Sequence, residues 1–188
     1  MSIARYNGEI NTEEYALGLL PVARGLASKG RGLAAAETTG SRFVSLSSAE
    51  RRVILEGKLE ANAMRRLEEM QLSTSGAHFV ERHGSQLSLT SQYDRAALGI
   101  NPTTGVVERI PSAATRFFSA RDQLNTISRA EQIFANTGSR TLARQPYEFG
   151  RVAGEGYNKS LVYGTQNSAR AVLNAQGKAI TAFPIYGF

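Results

Sequence analysis

The apolar periodicity of this chain changes along its length, and that change limits the folds open to it. Leu55, Leu59, Ala63, Leu67 and Met70 recur every three or four residues, the spacing that lines one side of an amphipathic helix. Leu46-Ser47-Ser48-Ala49-Glu50 stands just before them. Ser47 can cap the helix, Glu50 can close a capping box and Leu46 can act as a staple. A stripe at this spacing reads as scaffold. From Tyr147 onward the pattern becomes that of strands. Residues 149–157 are punctuated by glycine, and residues 169–174 and 178–184 flank Ala175-Gln176-Gly177, a tight hairpin signal. Helices first and strands last predict an α+β fold, with N-terminal helices followed by a small antiparallel sheet and one or more helices packed on it.

Between these extremes the elements are shorter. Residues 76–84 are predicted to form a short helix ended by Gly84. A further helix spans residues 89–98. Asn101-Pro102-Thr103-Thr104-Gly105 is a turn, and Val106-Val107 is a short strand. Residues 114–119 alternate, with Thr115, Phe117 and Ser119 on one side and Arg116 and Phe118 on the other. Ser119 and Asp122 then start a helix whose apolar side is Leu124, Ile127, Ala130 and Phe134, with Gly138 as its stop. The strands of residues 106–184 are expected to form one antiparallel sheet with this helix upon it. Upstream, Asn11-Thr12-Glu13-Glu14 opens a helix interrupted near Pro21 and running to Ala27. Glycines at 25, 30, 32 and 40 make residues 28–45 a linker. The organisation expected is a helical segment, 1–71, ahead of a domain, 72–188.

A chain of 188 residues has room for one such domain plus a helical attachment. Hydrophobic content of 41% and charge of 20% fit a soluble globular chain, and no apolar run is long enough to span a bilayer. Met1-Ser2-Ile3-Ala4-Arg5 lacks the order of a signal peptide. Cysteine is absent, which removes disulfides and cysteine-bound zinc. The formal charge of +6 is uneven: residues 71–188 hold 12 Lys+Arg against 7 Asp+Glu, and ten of the twelve are arginine. Such a balance favours a polyanionic partner, though solvated arginines would give it too.

Both histidines, His78 and His83, fall in Gly76-Ala77-His78-Phe79-Val80-Glu81-Arg82-His83-Gly84. Imidazole exchanges protons near pH 7, and arginine can fork onto a phosphate. Together they are the minimum kit for metal-free RNA cleavage. A short His pair taken alone is more often a surface or capping feature. On a helix His78 shares a face with Arg82, and Phe79 with His83, so the two rings are not stacked side by side.

The order of four motifs adds to this. His78-x4-His83-Gly84, Thr115-Arg116-Phe117, the glycine-dotted run to Tyr157 and the closing Thr181-Ala182-Phe183-Pro184 resemble the C-terminal ribonuclease toxin domains of bacterial polymorphic toxins. These are the contact-dependent inhibition and Rhs types, of the RNase A-like or barnase–EndoU–colicin–RelE groups. The resemblance covers residues 72–188, and residues 1–71 are similar in character to helical pre-toxin segments. It implies metal-independent cleavage of RNA, tRNA being one candidate, through the substrate's own 2′-hydroxyl. It implies no cofactor, a cognate immunity protein, and delivery from a secreted or surface toxin into the target-cell cytoplasm. The residues implied are His83 as general base and His78 as second acid/base or orienting residue. Arg116 contacts the phosphorane, with Arg170 or Arg151 in support. Thr181 bonds the phosphate, and Tyr157 stacks a base or donates a proton. Arg82 and Thr115 complete the substrate contacts. Two other classes stay open. An ADP-ribosyltransferase toxin would need a catalytic glutamate, for which Glu155 is the placed candidate. A structural adaptor of a phage or secretion system would leave these motifs unused.

Overall fold

The computed structural model describes residues 46–187. The helix expected over residues 11–27 and the linker expected over 28–45 lie outside the described residues. The chain divides into two compact units, Met1–Ile54 and Leu55–Phe188.

Helix α1 (Ser48–Ser73) starts where the capping box predicts. The Ser47 hydroxyl accepts from the Glu50 amide at 3.2 Å, and the Glu50 carboxylate accepts from the Ser47 amide at 2.9 Å. Its stripe is used unevenly. Ala63 and Leu67 are buried with Met64 and Met70 against them, whereas Leu55 and Leu59 are half-buried. Ala63 and Leu67 share one core with Phe79, Phe117 and Ile127, which is why the larger unit reaches back to residue 55.

Two short helices follow, α2 (Phe79–His83) and α3 (Leu89–Leu98). Gly84 ends α2 in an extended conformation, not the left-handed one expected of a glycine stop. Ser88 caps α3. The turn at 101–105 closes with a single bridge between Ile100 and Val107 in place of a strand. After β1 (Ala113–Phe117) comes α4 (Ala120–Thr137), capped by Ser119 and stopped by Gly138 in the left-handed region, as its sequence signals require. A one-turn helix α5 (Arg140–Ala143) leads into β2 (Tyr147–Glu148), β3 (Gly154–Asn158), β4 (Tyr163–Gln166), β5 (Ser168–Leu173) and β6 (Ala179–Pro184).

The fold is α+β, and all its strand pairs are antiparallel. In place of one sheet there are two of three strands each, ordered β1-β3-β4 and β2-β5-β6. The chain passes between them at Asn167, the one residue separating β4 from β5. The sheets meet where the Thr115 hydroxyl of β1 donates to the Pro184 carbonyl of β6 at 2.8 Å. This junction explains the glycines of β3. A Cβ on Gly154 would strike the Pro184 ring, and one on Gly156 the Ala114 carbonyl. On the second sheet Ala169, Ala171, Leu173, Ala179 and Ala182 are buried in one cluster with Ile127 and Ala130 of α4.

Candidate active site

His78 stands at the N-terminus of α2, and its amide donates to the Ile180 carbonyl of β6 at 2.9 Å. Its Nδ1 lies 2.9 Å from the Gly76 carbonyl oxygen. The ring is half-buried, and desolvation holds its pKa below the ordinary value, helped by the charges of Arg82 and Arg95 and opposed by the Gly76 bond. His83 ends the same helix and is 5% exposed. Its Nδ1 is 2.7 Å from the Thr115 carbonyl oxygen, and its Nε2 is 3.5 Å from Nη1 of Arg95. Its ring faces that of Phe183 with centroids 5.4 Å apart. Burial, then the Arg95 charge, push its pKa well below the usual imidazole value.

These contacts fix the chemical state of His83. A carbonyl can accept and a guanidinium can donate, so Nδ1 carries the proton and Nε2 presents its lone pair. His78 is held the same way, with Nδ1–H on a carbonyl. The two rings sit at opposite ends of one five-residue helix, each oriented by a backbone oxygen.

Arg95, on the inner face of α3, is the residue the sequence reading missed. It is 8% exposed, and its Nη1 donates to the Arg82 carbonyl at 3.1 Å besides meeting His83. Burial, and secondarily the Arg82 charge, lower its pKa to about 10. Its acceptors are a carbonyl and an imidazole, so no carboxylate is hydrogen-bonded to the cation, and the charges of Glu108 and Glu81 offset only part of the lowering. Such a group favours a bound anion. The buried positions of α3 include Gln92, Arg95 and Ala96, so the inner face of that helix is polar where a scaffold helix would be apolar.

Arg82 pairs through Nη2 with Glu108 at 2.8 Å, and Asn101 also donates to Glu108, at 3.0 Å. Arg82, Arg95, Glu108 and Arg109 line a cleft of about 390 Å³. Cationic side chains from α2, α3 and the following loop thus converge on one opening.

The register of the second sheet adds two groups. Arg170 lies opposite Phe183, and Val172 opposite Thr181. Phe183 faces His83, so Arg170 and Thr181 stand on the His83 side of the sheet, away from α4. Arg170 Nε and Thr181 Oγ1 are buried with no hydrogen-bond partner. Unsatisfied donors of this kind are costly in an ordinary core.

The remaining expected residues are engaged elsewhere. Arg116 does not join the cleft: its Nε and Nη2 bind Oε1 of Glu155, the residue opposite it in β3, and its Nη1 donates to the Leu87 carbonyl at 2.6 Å. Arg151 pairs with Asp122 at 2.8 Å, at a second cavity lined also by Glu60, Ser119 and Arg121. Thr115 is buried, and it serves His83 through its carbonyl. Tyr157 packs between Tyr93 and Tyr163. Glu155, which a transferase would need, is held by Arg116 and by the Tyr163 hydroxyl at 2.9 Å.

Among the described residues no three His, Asp or Glu side chains gather as a metal ligand set, and no helix is long and apolar enough to cross a membrane. Comparisons of the chain with protein-family models, with curated proteins and with solved structures find no match.

Proposed function

We propose that this chain is a metal-independent ribonuclease, the effector domain of a bacterial antagonism toxin acting on RNA in the cytoplasm of the cell it enters. The observation that carries this reading is the pairing of His83, its Nδ1 held on a backbone carbonyl, with a buried Arg95 that no carboxylate hydrogen-bonds. Nε2 of His83 takes the proton of the substrate's 2′-hydroxyl, and the 2′-oxygen attacks the adjacent phosphorus. The bond from phosphorus to the 5′-oxygen breaks, and His78 in its protonated form delivers a proton to that oxygen. The products are a 2′,3′-cyclic phosphate and a 5′-hydroxyl end. Arg95 and Arg82 offset the charge that grows on the phosphorane, and the free donors of Thr181 and Arg170 bond its non-bridging oxygens. Arg116, engaged with Glu155, holds the sheet together in this scheme instead of contacting phosphate.

The toxin part of the reading rests on the resemblance of residues 72–188 to polymorphic toxin domains, and it brings with it a cognate immunity protein. The test is incubation of the purified chain with total RNA and with tRNA, with and without EDTA. The expected result is cleavage indifferent to EDTA that leaves cyclic phosphate ends, and its loss in His83→Gln and in Arg95→Gln. Intact RNA after incubation with folded wild-type protein would overturn the reading. Modification of a target in the presence of NAD would redirect it to a transferase.

A further inference from the structure

Outside the arginine cleft the least ordinary surface is a group of tyrosines where α3 crosses the first sheet. Tyr93 of α3 and Tyr163 of β4 both pack against Tyr157 of β3. Their centroids lie 5.3 and 5.8 Å from it and the planes are steeply tilted, at 85° and 63°. Tyr157 pairs with Tyr163 and lies two residues from Glu155, which pairs with Arg116. All four side chains share one face of the sheet. Tyr157 is half-buried, yet Tyr93 is 41% and Tyr163 47% exposed. An exposed tyrosine is ordinarily free to turn. Tyr163 is not, because its hydroxyl donates to Oε2 of Glu155 while Arg116 grips the other oxygen of that carboxylate.

We propose that Tyr93 and Tyr163, buttressed by Tyr157, form a stacking site for unpaired nucleobases, so that the substrate class is single-stranded RNA. The proposal rests on the ribonuclease reading for its biological setting, but its physical basis is separate. Stacking needs flat, oriented, accessible rings, and it is indifferent to which base arrives because every base has a π-face. Rings held in place before binding lose little freedom when a base lands on them. The position suits the same ligand: α3, which supplies Tyr93, also supplies Arg95 to the cleft. Residues two apart on a helix point to different sides. A strand engaging both sites therefore bends around α3, and the stacked base belongs to a nucleotide other than the one whose phosphate is cut. Paired bases in a duplex hide their faces and cannot use the site.

The experiment measures binding without cleavage. The probe is a short single-stranded deoxyribo-oligonucleotide, which lacks the 2′-hydroxyl, alongside an abasic strand with the same number of phosphates. Fluorescence anisotropy of each with the wild-type chain should show the base-bearing strand binding about tenfold or more tightly, the effect of one or two stacked bases. In the double variant Tyr93→Leu/Tyr163→Leu that preference should vanish while affinity for the abasic strand stays unchanged. Equal wild-type affinity for the two strands, binding of neither, or a preference that survives in the variant would each overturn the proposal. Since no arm involves catalysis, a wild-type chain that cuts no RNA but prefers bases sinks the ribonuclease reading alone. One that cuts RNA and shows no preference sinks the stacking site alone.

Discussion

His83 has its proton on Nδ1 and its lone pair on Nε2, and desolvation resists any second proton. This ties stability to pH. Above about pH 7 the ring is neutral in both folded and unfolded chains and contributes no pH dependence. As pH falls through about 6.5, the unfolded ring takes up a proton and the folded ring does not, so the unfolded state gains and stability declines. Denaturant titrations between pH 8 and pH 5 should show wild-type stability falling more steeply than that of His83→Gln, the difference being the share of His83. Parallel slopes would show that the ring is not held neutral by the fold. Arg95 makes a second residue-level prediction. Its charge is a named cause of the lowered His83 pKa, so Arg95→Gln should move the His83 titration upward, as read from ring proton shifts by NMR, and should abolish RNA cleavage. An unchanged His83 titration would mean that the 3.5 Å contact is not felt electrostatically.

Helices carried legible signals because their ends depend on local chemistry. The Ser47/Glu50 box, the Ser119 cap and the Gly138 stop all stand where sequence places them, since each is decided by a few neighbouring residues. The division into two sheets was not legible, because it depends on where strands far apart in sequence meet. The break at Asn167 and the joint between Thr115 and Pro184 become visible through contacts nearly seventy residues apart. The extent of α1's commitment to the core was likewise hidden, since its stripe looks uniform while its burial is not. The burial of the stripe is testable against a leucine that lies outside it. Leu67 is fully buried and Leu72 is 89% exposed. Leu67→Ala should cost about 2–5 kcal/mol of stability, the range for truncating a buried leucine, whereas Leu72→Ala should lie within about 0.5 kcal/mol of wild type. Thermal or chemical denaturation of the two variants settles whether α1 belongs to the domain.

At the scale of the whole molecule the question is how a modest positive charge becomes a directed one. Of the candidate site residues, the two histidines stand out in the sequence by type, and Thr181 and Arg170 by resemblance. Arg95 does not, because nothing local distinguishes a buried arginine from a solvated one. Arg116 read as a ligand for phosphate because its cross-strand partner Glu155 is 39 residues away. Folding thus spends Arg116 and Arg151 on carboxylates away from the cleft and gathers Arg82, Arg95 and Arg109 around it, where Arg82 is itself paired with Glu108. If those three each neutralise one phosphate of a single strand, the logarithm of the binding constant falls with the logarithm of salt at a slope of about −2. Raising monovalent salt fourfold, from about 50 to about 200 mM, should then weaken binding of a non-cleavable strand about twentyfold. In Arg109→Gln the slope should shrink by roughly one phosphate's share, about 0.7, and in Glu108→Gln the affinity should rise because Arg82 is released from its internal carboxylate. A flat salt response in the wild-type chain would show that the cleft does not read phosphate. A steep response unaltered by either substitution would place the phosphate contacts on another surface of the molecule.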